Sequence, residues 1–444
     1  MKAEAINRAR THRAHRPHPQ LAPGAELIGE YRGSGFRETP YIIRRADGRV
    51  LQLTRLLYLV AGSCDGERDH AGIADEVSGA YGRRISAANV AYLIEQKLQP
   101  LGVLGDGPTG DERAPGGPLA LTMRSAVVPP AVVRPLAALL RPLFAPLLVG
   151  AAIAWLVAID VWLFHHGLHG AIVELFSRPA LLLLLFALMI ASTAFHELGH
   201  AAACRYGGAR PGAMGVGLYF VWPAFYTDVT DAYRLDRVGR LRTDLGGVYF
   251  NALFALGAAA AYFRTGFEPL LLVVAFEQVQ IMNQLVPWGR FDGYYVLTDL
   301  TGVPDILSRL RPVLLSLIPD RAPEPRVAEL KPWVRVVVSA YVLTLFPAML
   351  LLLALIARSV PHLLAFANLS LRMQSVRIGA ALAHRDLTTL TLSVLQILVL
   401  LLTLAAVALT LGRTALAATR IVSRPLRKHR RARRLAVAAA AIAA

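Results

Sequence analysis

The sequence predicts a mainly α-helical membrane protein, in which a polytopic bundle of about six spanning helices follows a small N-terminal α+β domain. Of its 444 residues, 55% are hydrophobic, and the mean hydropathy is +0.46, which is too apolar for an ordinary soluble protein. Six apolar stretches approach the roughly 20 residues that a helix needs to cross a bilayer. The segment before them carries the mixed polar and apolar pattern of a small soluble domain.

The first part of the chain is basic and His-rich, and it contains no apolar core of the kind that a secretory signal needs. We therefore expect residues 1–37 to form a disordered arm. A Gly/Pro-rich stretch later in the chain predicts a linker over residues 107–136.

Between these segments, residues 38–106 predict one domain with a winged-helix-like order of elements. Residues 41–45 and 50–53 are β-prone runs on either side of Ala46-Asp47-Gly48, which is a hairpin pattern. Three amphipathic helices follow the hairpin. They are predicted over 54–63, 69–81 and 86–98.

Residues 137–305 form the predicted membrane core, and residues 306–412 add further membrane helices. The stretch 360–383 is less apolar and carries spaced arginines, so we expect it to lie at the membrane interface. The predicted spans are 142–164, 180–205, 245–263, 268–287, 334–356 and 391–412.

The net charge of +17 is distributed as it is in membrane proteins rather than in nucleic-acid-binding proteins. A basic tail over residues 413–444 contains nine Lys and Arg residues between Arg413 and Arg434, directly after an apolar span. Such clusters mark the cytoplasmic side and attract anionic lipid. We therefore expect a multi-pass protein of the cell membrane with both termini in the cytoplasm, an anionic lipid partner at the tail and no nucleic-acid partner.

The strongest chemical pattern is His196-Glu197-Leu198-Gly199-His200, which follows directly on an apolar run. Residues four apart share one face of a helix, so His196 and His200 are predicted to bind one metal ion beside Glu197. His and Glu are costly inside a membrane and usually serve a function there. The alternative is a polar cluster buried between helices.

A catalytic zinc ion needs a third protein ligand and an open position. The strongest candidate is Asp292, because it follows the fourth predicted span on the side where His200 lies, and Pro287 lets the chain turn back there. Alone, Asp292-Gly293 would be a simple turn. Glu197 would then be free to act as the catalytic base.

Three further features extend the predicted site. Residues 214–224 are Gly-spaced and β-prone, and they predict a re-entrant hairpin whose edge presents extended substrate. Glu277, Gln280 and Gln284 share one helical face, either as a substrate or water path or as interhelical hydrogen-bonding groups. Cys204 continues the histidine face, and we expect it to be a small buried residue. It lies far from Cys64 in the sequence, so no disulfide framework is indicated.

These motifs resemble the site-2 protease family of intramembrane zinc metalloproteases, in particular its peptide zinc metalloprotease branch, over about residues 140–305. The helix motif matches at residues 196–200, and Phe291-Asp292-Gly293 matches the motif whose Asp is the third zinc ligand. Gly246-Gly247 with Asn251 resembles the family's Gly-Pro…Asn span, with Val248 where Pro is usual. Asn283 stands near the position of a family Asn. The resemblance implies Zn2+ held by His196, His200 and Asp292, with Glu197 catalytic.

The resemblance also implies substrate contacts at Asn251, Asn283 and Gly293. The N-terminal domain resembles the PqqD-like fold, also called a RiPP recognition element, over about residues 38–106. Such domains bind the leader of a precursor peptide as an added strand. The alternative for this domain is a generic winged-helix-like adaptor.

Together the two resemblances imply a maturation protease that removes the leader from a small ribosomally made precursor peptide, as in daptide-type clusters. Two alternatives stay open at this point. One is a regulatory protease that cuts a membrane-bound transcription regulator. The other is a membrane protein without catalysis that exports a peptide or confers immunity to it.

Overall fold

The described residues fold into a helical bundle with a small N-terminal domain and two three-stranded sheets. The computed structural model describes residues 18–45, 50–105, 122–178, 181–219, 222–287, 290–316, 324–405, 407–409 and 411–412. The strands are β1 Glu26–Glu30, β2 Tyr41–Arg44, β3 Val50–Leu53, β4 Thr122–Val128, β5 Met214–Tyr219 and β6 Trp222–Thr227. The helices of the N-terminal domain are α1 Arg55–Gly62, α2 His70–Tyr81 and α3 Ala87–Leu93. Helix α3 continues as the π-helical turn Ile94–Leu98. The later helices are α4 Pro130–Leu140, α5 Pro146–His166, α6 His169–Ser177, α7 Leu181–Tyr206, α8 Arg237–Asp244, α9 Gly246–Thr265, α10 Pro269–Leu285, α11 Asp292–Thr301, α12 Leu310–Leu315, α13 Pro325–Ala328, α14 Pro332–His384 and α15 Leu387–Leu409.

In the N-terminal domain, sheet β1–β2–β3 packs against helices α1, α2 and α3. Strands β2 and β3 pair antiparallel with Tyr41 opposite Leu53, as the hairpin pattern predicts, and the turn residues 46–49 lie outside the described residues. Helix α1 begins where the Thr54 hydroxyl accepts a hydrogen bond from the Leu57 N–H, and α2 begins where Asp69 caps Gly72 in the same way. The apolar core of this domain includes Ile43, Leu53, Val60, Ile73 and Leu98.

The prediction of a disordered arm over residues 1–37 is wrong for its second half. Residues 26–30 form strand β1, which pairs antiparallel with β2. Gln20 and Leu21 also form isolated bridges to Asp65 and Leu104. This strand completes the sheet because its backbone groups pair with the outer edge of β2. Residues 1–17 lie outside the described residues.

The linker predicted over residues 107–136 contains regular structure in its second half. Strand β4 pairs with β5 in the second sheet. Helix α4 follows it and buries Val133 and Ala137 beside Ala201 of α7. The chain therefore contacts β5 and α7 before its first membrane span. The Gly/Pro-rich residues 106–121 lie outside the described residues.

Four of the described helices are long and apolar enough to cross a membrane, namely α5, α7, α9 and α15. Helix α10 has 17 residues and packs along α9. These elements make the protein a helical membrane bundle with a small N-terminal domain, as predicted. The basic tail, residues 413–444, lies outside the described residues.

Helix α14 differs from the sequence expectation, because one continuous helix of 53 residues replaces a span followed by a separate interfacial segment. Pro347 and Pro361 lie inside it without ending it. In apolar surroundings a helix satisfies most backbone hydrogen bonds internally, even where a proline removes one of them. Single prolines inside a membrane helix are therefore tolerated.

Helices α7 and α9 approach each other closely, and this contact places the histidine face of α7. A Cβ atom at Gly199 would lie 2.2 Å from the carbonyl oxygen of Gly246, and a Cβ at Gly246 would lie 2.6 Å from that of Gly199. Phe195 and Phe250 pack beside this contact with ring centroids 4.6 Å apart. Small residues thus allow the two backbones to touch.

Candidate metal centre

The structure brings His196, His200 and Asp292 together within the bundle. The two Asp292 carboxylate oxygens lie 3.3 Å from His196 Nε2 and 3.4 Å from His200 Nε2. Ligand atoms from all three residues lie within 4.8 Å of one another. Two neutral imidazoles and one carboxylate form a donor set that zinc enzymes use with one position left open.

Two local features of the chain create this cluster. His196 and His200 are one helical turn apart on α7, so their rings extend from the same face. Helix α10 ends at Leu285, and Val286 adopts an extended conformation before Pro287, as expected for a residue that precedes proline. The chain then returns so that Asp292 is the first residue of α11.

Gly293 makes this return tight enough. A Cβ atom at this position would lie 2.1 Å from the carbonyl oxygen of Leu285. Only glycine lets the start of α11 rest on the end of α10, which places Asp292 beside the histidines of α7. The substrate contact that we predict for Gly293 stays a prediction, and the structure adds a packing role for this glycine.

Both histidines are oriented by hydrogen bonds on their other ring nitrogen. His200 Nδ1 donates to the backbone carbonyl of Thr243 over 2.8 Å. His196 Nδ1 lies 3.2 Å from Asn251 Oδ1, which accepts its proton. Metal-binding histidines are commonly held in this way, because the outer partner fixes the tautomer and the angle of the ring.

This tautomer leaves a lone pair on each Nε2, and the two Nε2 atoms are 3.1 Å apart. Two lone pairs at this distance repel each other unless a cation lies between them. In addition, Asp292 Oδ2 is buried without a hydrogen-bond donor. A Zn2+ ion would satisfy all three groups at once, so the residues present fit that metal.

Gly247 keeps the space beside the cluster open. A Cβ atom on Gly247 would lie 2.4 Å from His196 Nε2 and 2.5 Å from His200 Nε2. Any side chain here would therefore occupy the position where the ligand atoms converge. The glycine pair Gly246-Gly247 thus serves two needs, since the first glycine lets the helices touch and the second leaves room for a metal.

Glu197 lies next to the cluster and is held by the second sheet. Thr227, the last residue of β6, donates from its hydroxyl to the Glu197 carboxylate over 2.8 Å, and the same hydroxyl lies 2.9 Å from the Glu197 carbonyl oxygen. The predicted strand region 214–224 is observed as the hairpin β5–β6, with Met214 opposite Thr227. In the order β4–β5–β6, β6 is an edge strand of the described sheet.

The structure gives the positions of the two asparagines for which we predict substrate contacts. Asn251 is buried behind His196, because α9 turns its side chain toward the α7 face. It therefore contacts a candidate metal ligand, and the substrate contact at Asn251 stays a prediction. Asn283 is exposed on α10.

Glu277 is fully buried on α10, and neither carboxylate oxygen has a hydrogen-bond partner. Gln280 and Gln284 are half-buried on the same helix, so Glu277 is the innermost residue of the predicted polar face. Cys204 is buried beside Ala209 and Ala232, which matches the expectation of a small core residue.

Sequence reasoning missed Thr227 and Thr243. Thr227 lies a few residues after the β-prone run 214–224. The sequence signal for its role was a hydroxyl side chain close to the end of a predicted edge strand. Thr243 acts through its backbone carbonyl, which every residue has, so no sequence signal exists for it. Only the path of helix α8 beside α7 reveals this contact.

Comparison with known proteins gives one partial relationship. Over 110 residues, or 24% of this chain, the sequence is 27% identical to a protein of Bacillus subtilis (strain 168) named "Putative peptide zinc metalloprotease protein YydH". The aligned segment spans 44% of that protein, so this chain matches less than half of its length. No family model matches the chain, and no solved structure matches it.

The similarity supports a zinc metalloprotease at this coarse level. The His-His-Asp group is consistent with it, because these three residues offer ligand atoms that could hold one metal ion.

Proposed function

We propose that this protein is an intramembrane zinc endopeptidase that hydrolyses a peptide bond in a small ribosomally made precursor peptide. The observation that carries the proposal is the position of Glu197, which directly follows His196 on α7 and lies beside the cluster with Asp292. A purely structural metal site has no need of a carboxylate base next to its ligands.

His196, His200 and Asp292 would hold the zinc ion. When bound, zinc polarises the scissile carbonyl and acidifies the attacking water. Glu197 takes the proton from that water and passes it to the amine nitrogen as the peptide bond breaks. The Thr227 hydroxyl keeps the Glu197 carboxylate in one orientation, so the base is placed before the substrate arrives.

The substrate would bind as an added strand along β6. A peptide bond inside a helix has its carbonyl group in an internal hydrogen bond, so a substrate must be extended before it can be cleaved. The edge of β6 offers backbone donors and acceptors to such a segment. Because Thr227 ends this strand and contacts Glu197, a peptide paired with β6 reaches the catalytic base.

We further propose that the N-terminal domain binds the leader of the precursor and that both chain termini lie in the cytoplasm. In support, this domain consists of a small sheet and three helices, and it docks on the same helices that surround the metal cluster. Its Tyr31 and Gly35 contact Asp299 and Gly302 at the end of α11. A leader held there is tethered near the cleavage site, which raises its effective concentration.

The proposal is tested with purified full-length protein, loaded with zinc, and the short peptides encoded beside its gene, with mass spectrometry to detect fragments. Glu197→Gln should abolish cleavage while metal analysis still finds about one zinc ion per chain. The matched control is Glu67→Gln, which changes an exposed carboxylate of the N-terminal domain and should cleave normally. Cleavage that persists in Glu197→Gln overturns the proposal.

A further inference from the structure

A cleft of about 650 Å3 lies between the N-terminal domain and the second sheet. Its walls come from both parts of the molecule. The N-terminal domain contributes Glu26 of β1 and Arg44 of β2, whereas the membrane part contributes Arg134 of α4, Arg210 and Asp228. A ligand in this cleft would therefore touch both the N-terminal domain and the strands beside Glu197.

Part of the charge in the cleft is neutralised internally. Arg44 pairs with Glu26 and with Asp231, the latter over 3.2 Å. Arg234 pairs with the same two carboxylates, at 2.8 Å for Asp231. Two cations and two anions thus form a closed network, and this network joins the N-terminal domain to the membrane part.

Three further charged residues of the lining, Arg134, Arg210 and Asp228, remain outside that network, so the lining has one more cation than anions. Arg134 donates from Nε to the carbonyl oxygen of Pro211, and the Arg210 backbone N–H donates to Asp231. Within the described part of the chain, neither guanidinium forms an ion pair with a carboxylate. Both side chains are exposed, so their remaining donors face the cleft and the adjoining solvent.

A neighbouring groove extends this positive region. It is lined by Arg134, Arg205, Arg210 and three apolar residues, and none of its lining residues is acidic. Arg205 is near the C-terminal end of α7, two residues beyond the buried Ala203. The positive surface therefore continues from the cleft along the end of the helix that carries His196 and His200.

The cleft also begins where strand β6 ends. Thr227 contacts Glu197, and the next residue, Asp228, lines the cleft. Gly212 and Asp228 pair through their backbones at the base of the β5–β6 hairpin. A peptide paired along β6 would continue into the cleft once it passes Glu197.

We propose that this cleft binds an acidic segment of the peptide substrate, with Arg134 and Arg210 as the carboxylate-binding residues. The inference rests on the proposed peptidase function and specifies its substrate class. Guanidinium groups bind carboxylates through paired hydrogen bonds. A peptide fits better than a lipid, because the cleft walls are strand ends, loops and charged side chains and because the cleft continues the β6 edge.

Binding is measured with the full-length Glu197→Gln variant in detergent, which prevents cleavage. Fluorescence anisotropy compares a labelled ten-residue peptide that carries four glutamates with the same peptide carrying four glutamines. We expect the glutamate peptide to bind at least tenfold more tightly, and we expect this preference to disappear in the double variant Arg134→Glu, Arg210→Glu. Arg83→Glu, an exposed arginine in the loop after α2, is the matched control and should keep the preference.

Equal binding of the two peptides, or an equal loss in Arg83→Glu, overturns the inference. A lipid occupant is tested by adding phosphatidylglycerol vesicles. If these vesicles displace the glutamate peptide while phosphatidylcholine vesicles do not, the cleft belongs to anionic lipid and the inference fails. The assay requires no catalysis, so absence of cleavage by the wild-type protein would overturn the proposed function without affecting this result.

Discussion

The Tyr31 hydroxyl donates a hydrogen bond to Asp299 Oδ1 over 3.1 Å and thereby joins the N-terminal domain to helix α11. Arg240 Nε donates to the same oxygen over 2.8 Å, and its guanidinium lies 4.6 Å from the centre of the Tyr31 ring. Helix α11 begins with Asp292, and helix α8, which carries Arg240, also carries Thr243. The N-terminal domain thus contacts two helices of the candidate site, since α11 carries Asp292 and Thr243 of α8 contacts His200.

Asp299→Asn should destabilise the protein by about 3 kcal/mol, because it leaves the charge of Arg240 without its carboxylate partner. The Arg240 side chain is 2% exposed and that of Asp299 is 15% exposed, so water replaces the lost partner poorly. Thermal unfolding in detergent measures the change. Tyr31→Phe removes one hydrogen bond and should cost only about 1 kcal/mol. Equal losses in the two variants would contradict this interpretation.

Gly247→Ala should abolish zinc binding, because the new methyl group would collide with the Nε2 atoms of both histidines. Metal content after purification and dialysis measures the effect directly. Gly257→Ala is the matched control, since it changes a glycine of the same helix whose Cβ would meet nothing within 4 Å. A Gly247→Ala protein that retains a full zinc ion would show that the metal is bound elsewhere.

Asn251→Ala should weaken zinc affinity by roughly 10- to 100-fold, the usual cost of removing the partner that orients a metal-binding histidine. Competition with a chelator of known affinity gives the change. Asn283→Ala alters an exposed asparagine of α10 and should leave zinc affinity unchanged. If the two variants have the same affinity, Asn251 does not orient His196.

Thr227→Val should lower the cleavage rate by about tenfold through loss of one positioning hydrogen bond to Glu197, worth about 1.4 kcal/mol in the transition state. Valine keeps the size of threonine and the preference for a strand. Zinc content should therefore stay at the wild-type level. Thr227→Ser, which retains the hydroxyl, should recover most of the rate, and failure of this rescue would point to a packing effect instead.

Asp244→Asn should stabilise the protein at neutral pH. Burial, together with the nearby Asp299 carboxylate, raises the pKa of Asp244 well above its ordinary value of 3.8, and its Oδ2 is buried without a partner. Above about pH 3.8 the unfolded chain releases this proton, whereas the folded protein keeps it. The free energy of unfolding therefore falls as pH rises from the unfolded pKa to the raised pKa of the folded state. Unfolding between pH 5 and 8 should show this decline in the wild-type protein and a flatter profile in the variant.

The parts of the site that the sequence predicts depend on local periodicity. His196 and His200 share a face because they are four residues apart. Helix α10 ends before Pro287 because the proline ring disfavours helical backbone at the preceding residue. Asp292 was reached by combining its position after a predicted span with the resemblance of its motif. The structure places all three residues together.

The parts that the sequence does not predict depend on contacts between distant segments. Strand β1 contains Gly29 and two glutamates, so its residues lack the apolar alternation of an obvious strand, and pairing with β2 stabilises it. Strand β4 depends on β5, which follows it in the chain only after helices α4 to α7. The role of Asn251 depends on which face of α9 meets α7, and this was decided by the contact between Gly199 and Gly246.

The separation of the metal ligands along the chain has a consequence for biosynthesis. His196 and His200 are made long before Asp292, and two complete helices of the bundle, α9 and α10, are synthesised in between. Because chains emerge from their N-terminus and domains fold in that order, a nascent chain carries the helix with the base before it has all three ligands. Under the proposed function, the newly made protein would be unable to hydrolyse peptides until α11 has left the ribosome and returned to α7.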